Sequence, residues 1–143
     1  MRRFLIAALA LIAGVVTAFA QQFYPPLPPD AIAIGNGSGN VANATATATL
    51  TATTGRRTWI CGVAVNALGA TAGAGVALTI TGLGGTFTYT YVSATGVTVW
   101  APAVVSFNPC LPALAASSNI VVTLPALGAG NTNASVSAWG YNF

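Results

Sequence analysis

Beyond residue 40 the chain alternates between polar and apolar positions with a period of two. The stretch "NATATATLTAT", Asn43 to Thr53, sets Thr45, Thr47, Thr49, Thr51 and Thr53 against Ala44, Ala46, Ala48, Leu50 and Ala52. Successive side chains of a β-strand point to opposite faces, so the threonines share one face and the small apolar residues the other. Threonine forms strands well and tolerates water, which suits a face that is solvated or covered by a neighbour. Alanine buries little area, so this strand is expected at the periphery of its own core.

The same period recurs downstream. "RTWICGVAVN" reads as Trp59, Cys61, Val63 and Val65 against Ile60, Gly62 and Ala64. "GVALTIT" places Val76, Leu78 and Ile80 opposite Ala77, Thr79 and Thr81, and "TFTYTY" places Phe87, Tyr89 and Tyr91 opposite Thr86, Thr88 and Thr90. The "GLGG" between these two predicts a hairpin. "VTVW", "AVVSF", "NIVVTLP" and "NASVSAWGYNF" complete a set of about eight strands joined by short turns, the signature of an antiparallel two-sheet sandwich. The fold expected is all-β: a single antiparallel β-sandwich, jelly-roll-like, over 41–143. "LPALAASSN" is too brief for a helix and reads as a loop with one helical turn, and "NPCLP" reads as a rigid turn.

The first 40 residues differ. Arg2 and Arg3 precede the apolar run "FLIAALALIAGVV", and Ala18 and Ala20 supply an Ala-x-Ala site, so 1–20 reads as a secretory signal peptide. The alternative is a retained anchor: Phe4 to Phe19 is 16 residues, short of the roughly 20 of a helical span. Membrane contact is expected only through 4–19, if retained. Residues 21–40 form an extended arm, in which "PPLPP" favours polyproline geometry and "GNGSGN" a turn. Phe23, Tyr24, Pro25 and Pro26 are its candidate docking residues, a stiff linker being the plainer reading.

Composition removes most enzyme chemistry from the expectation. The chain has four arginines, one acidic residue (Asp30), no lysine and no histidine. Acid–base catalysis draws mainly on the residues it lacks, and a Ser-His-Asp constellation is impossible. Two cysteines and one aspartate cannot complete a zinc set. No catalytic residue, metal or cofactor is therefore expected. With Arg2 and Arg3 assigned to targeting, Arg56 and Arg57 are nearly the only charges left. They should project from a hairpin corner, as an interface contact or as plain solubility at a turn. Specific nucleic-acid binding is not expected.

Cys61 and Cys110 form an even pair, which in an exported chain favours a disulfide over two buried thiols. Closing a loop of about 50 residues would stabilise by roughly 4 kcal/mol on chain entropy. The aromatic residues read first as core and second as sugar-stacking surfaces. Trp139, Tyr141 and Phe143, clustered in "AWGYNF", should tuck into this sheet or a partner's. Thr45, Thr47, Thr49 and Thr51 are interface candidates. An ice-binding plane would need several such rows, and only one strand carries five threonines in step.

The combination "RTWICGVAV", "GATAGAGVALTITGLGGTFTYTY", "VSF" and "LPALAASSNIVVTLPALGAGNTNASVSAWGY" resembles small all-β proteins of phages and prophages, of the capsid-decoration or virion-surface sandwich type. The resemblance implies a non-enzymatic structural protein on a virion surface, whose partners are copies of itself and a major capsid or surface-layer protein. The competing expectations are an exported bacterial surface, matrix or filament subunit, and a carbohydrate-binding sandwich module.

Overall fold

A computed structural model describes residues 27–71, 75–93, 95–96 and 102–143. It contains eight strands: β1 (Ile32–Gly37), β2 (Ala46–Leu50), β3 (Thr58–Leu68), β4 (Gly75–Thr81), β5 (Phe87–Val92), β6 (Ala103–Pro112), β7 (Ile120–Leu124) and β8 (Asn133–Asn142). Sheet I has the order β1-β8-β3-β6 and sheet II the order β2-β7-β4-β5. Every named pairing is antiparallel. All-β, two-sheet architecture is thus as the alternation indicates, and the strand order is that of a jelly roll. Among the described strands only β4 and β5 are consecutive neighbours in one sheet, a hairpin as "GLGG" predicts; the other consecutive pairs lie in opposite sheets.

The core lies between the sheets. From sheet II come Leu50, Ile80, Ile120, Val122 and Leu124; from sheet I come Ile60, Val63, Val65 and Val136, all at most 2% exposed. Along β2 Ala46, Ala48 and Leu50 are buried and Thr47 and Thr49 are not; along β7 Ile120, Val122 and Leu124 are buried and Val121 and Thr123 only half-buried, one buried face per strand as the period of two requires.

Four expectations need correcting. The strand of the threonine comb is not peripheral to the core: Ala46 and Ala48 are fully buried. β2 is an edge strand of sheet II, yet it packs across onto β8 and β1. Ala46 and Ala48 share one buried cluster with Ala134, Val136 and Ala138 of β8, the strand that β2 packs against across the sandwich. Small residues at this place mean burial, not exposure.

The arm is the second correction. The sandwich takes in β1, which pairs with β8 from Ile32↔Asn142 to Gly37↔Ser137, so it begins near residue 32 and not at residue 41. β1 is mostly exposed, and only Ile34 packs against the core. The eighth strand is therefore β1, while "VTVW" (97–100) lies outside the described residues, as do 1–26.

Third, the alternation along β3 changes phase. A bulge between Ile60 and Gly62 inserts one residue, Cys61, into the β3–β8 ladder. Thr58 and Ile60 point inward before it, and Val63, Val65 and Ala67 after it. Trp59 and Cys61 consequently lie on the outer face and do not share the face of Val63 and Val65. An extra residue reverses the facing of everything beyond it. Fourth, "NPCLP" is not a turn between elements but part of β6, where Phe107 to Cys110 bow out opposite Cys61.

Candidate interaction surface

The bulge brings the cysteines together. Cys61 and Cys110 form a disulfide with Cα atoms 4.3 Å apart, staples across the β3–β6 irregularity. Around it the outer face of sheet I carries Trp59, Trp139 and Tyr141. Trp59 and Tyr141, paired in the β3–β8 register, stack with centroids 5.8 Å apart and an interplanar angle of 11°. In the next row Trp139 lies across Gly62, where a Cβ would run into the indole ring. Gly62 is therefore the seat of Trp139, a role that no alternation pattern could show. Phe143 is 53% exposed and does not tuck in. Its backbone exchanges two hydrogen bonds with Arg57, at 2.8 and 3.0 Å.

The charged groups gather at this end. The Arg56 guanidinium donates to the Asp30 backbone carbonyl at 2.6 Å, which fastens the start of β1 to the β2–β3 loop. Arg56 is half-buried and committed within the chain, while Arg57 is exposed. Of the two arginine candidates, Arg57 is the one whose side chain is free to face a neighbour. Among the described residues, Asp30, Arg56 and Arg57 are the only charged side chains, and none lies in a strand.

The threonines form rows as well as a comb. Register places Thr47 beside Thr123, Thr123 beside Thr79, and Thr79 beside Thr88, one threonine from each strand of sheet II. Thr49 and Thr81 flank Val121 in the neighbouring row. Thr45 is exposed just before β2, and Thr51 just after it. Thr53 leaves the comb: its hydroxyl accepts a hydrogen bond from the buried Asn142 amide at 2.9 Å. Asn142 also donates to the Thr51 carbonyl at 3.1 Å, so one side chain of β8 secures the chain that leaves β2. Its amide oxygen and the Thr58 hydroxyl, opposite each other in the ladder, have no partner among the described residues.

The two sides of the sandwich differ. On the β1/β2 side, Asn36 accepts from the Gly37 N–H at 2.8 Å and donates to the Thr49 carbonyl at 2.9 Å, bridging the sheets. Sequence pattern does not reveal this, because "GNG" reads as a turn. On the other side, among the described strands, β5 is in substantial contact only with β4, and β6 only with β3. The wedge between them opens on a groove of about 450 Å³ lined by Leu83, Phe87, Leu111 and Pro112 among others. Tyr91, on the inner face of β5, has its phenol pKa raised by burial, with a backbone hydrogen bond at Ala67 acting the opposite way. Val104 of β6 is 58% exposed.

No group of three or more His, Cys, Asp or Glu stands together among the described residues. Phe23, Tyr24, Pro25 and Pro26 lie outside them. Comparison with protein-family models, curated proteins and solved structures gives no match.

Proposed function

We propose that this chain is a non-enzymatic structural protein that associates with copies of itself or decorates a larger assembly, in the manner of a virion-surface or capsid-associated protein. The observation that carries the reading is the placing of charge. All three described charged side chains sit at one end, which leaves both sheet faces and all four edge strands neutral. A protein that remains single usually mixes charges over its surface and along its edges. Apolar area left bare here gains roughly 25 cal/mol per Å² when a neighbour covers it. The disulfide suits a virion or cell surface, where oxidised thiols persist.

Sedimentation velocity of the purified protein across the micromolar range tests the reading. Concentration-dependent growth in mass supports self-association, and a monomer throughout removes it and leaves only decoration of a larger assembly. Recovery of its peptides from purified particles, against recovery from the culture medium alone, separates a virion component from an exported subunit. A second reading, a carbohydrate-binding module, draws on the outer-face pair Trp59 and Tyr141 with Trp139 beside them. Glycan binding that is lost in Trp139→Ala would favour it over assembly.

A further inference from the structure

We infer that β5 is the seam of a two-fold dimer, in which it pairs antiparallel with β5 of a second copy and carries sheet II across both chains. The inference rests on the self-association reading and names the surface that association uses.

Among the described residues, four strands edge the two sheets: β1 and β6 in sheet I, β2 and β5 in sheet II. An edge presents a row of N–H and C=O groups ready to pair with another chain, unless something blunts it. Three of the four are blunted. Asn36 ties the edge of β1 to the carbonyl row of β2. β6 is interrupted by its bow opposite Cys61 and carries Pro109 and Pro112, which have no N–H to give. β5 has no proline, no charge and no bulge; its register with β4 runs unbroken from Ile80↔Phe87 to Gly75↔Val92. It is also open to solvent, with Phe87 40% and Val92 64% exposed.

The sequence of β5 says what fits there. "TFTYTYV", Thr86 to Val92, reads nearly alike in both directions about Tyr89: Thr88 answers Thr90, and Phe87 answers Tyr91. A two-fold axis sets residue i opposite j and j opposite i, so a strand that pairs with its own copy must be complementary to its own reverse. With Tyr89 on the axis, ring faces ring on one side of the sheet and threonine faces threonine on the other. Such cross-strand pairs stabilise a sheet. A slip of one residue would turn every threonine toward an aromatic ring and is disfavoured. Without a charge on the strand, an acidic or basic peptide finds no ionic partner in its side chains.

Two variants of the full chain test this. Thr88→Lys with Thr90→Lys places like charges opposite each other twice across the seam, while both sites are exposed on the outer face. Its dimer dissociation constant by sedimentation should rise at least about tenfold. Tyr89→Cys brings two thiols together on the axis, within the Cα spacing a disulfide accepts. It should give a covalent dimer on a non-reducing gel, with the Cys61–Cys110 bond retained. An associating wild type whose dissociation constant the lysine pair leaves unchanged, and whose Tyr89→Cys variant gives no covalent dimer, overturns the β5 seam alone. A wild type that sediments as a monomer overturns the seam and the self-association reading together. The cysteine variant keeps the edge neutral, so it decides the matter even if the lysine pair fails to fold.

Discussion

Asn142 and Thr58 face each other across the β3–β8 ladder, both at most 1% exposed, and their polar groups are used differently. The Asn142 amide nitrogen is fully employed on Thr51 and Thr53, whereas the Thr58 hydroxyl has no partner among the described residues. Breaking a buried hydrogen bond strands what remains, but deleting an orphaned hydroxyl strands nothing. Asn142→Ala should therefore cost about 1–3 kcal/mol of unfolding free energy, and Thr58→Val should be neutral or stabilising. Urea titrations of the two variants check this; a large loss in Thr58→Val would show that the hydroxyl is paired. Tyr91 makes a second prediction at this scale. Its phenol is raised in the folded chain, so the stabilisation is full below about pH 10, the unfolded value, and is lost as pH rises through the folded value. The urea midpoint should fall more steeply above pH 10 in wild type than in Tyr91→Phe.

Strands with one buried face were legible from alternation alone: β2, β4, β7 and β8 stand where the period of two put them, and so does β5, whose rings and threonines alternate although none of its residues is buried. β1 was not, because "IAIGNG" is exposed except at Ile34 and its glycines and asparagine read as a turn. What makes it a strand is β8, a partner more than 90 positions away in the sequence. The Trp59–Tyr141 pair was hidden for another reason. One inserted residue, Cys61, reverses the phase of β3, and an insertion leaves no mark in a period count until the partner strand is known. The disulfide could be favoured from compartment and parity, but its geometry depends on that same bulge. β2 supplies the prediction for this level. Ala48 is fully buried where β2 packs onto β8, so Ala48→Leu should destabilise by about 1–3 kcal/mol through overpacking. Thermal denaturation would detect it, and an unchanged midpoint would mean that the sheets can part at little cost.

For the whole molecule, neutral edges and faces mean that association should not behave as charge pairing does. Raising sodium chloride from about 50 to 500 mM screens exposed ionic contacts but leaves apolar ones in place. The sedimenting mass should hold or grow, and it should grow further in sulfate, which strengthens apolar burial. Dissociation by salt would point to Arg57 and Asp30 as the contact instead. The strand order also has a consequence for the order of events during synthesis. β8 lies between β1 and β3 in sheet I, so its two neighbours leave the ribosome long before the strand that joins them. Among the described strands only the β4–β5 hairpin closes locally, so most of their pairings wait on distant sequence, which slows folding and prolongs exposure of unpaired strands. Nascent chains arrested before Asn133 should accordingly remain open to protease, and become resistant only once Asn142 has cleared the exit tunnel. Until its final strand emerges, the growing chain displays β1 and β3 as open edges, and a chaperone that shields them would find its work in that interval.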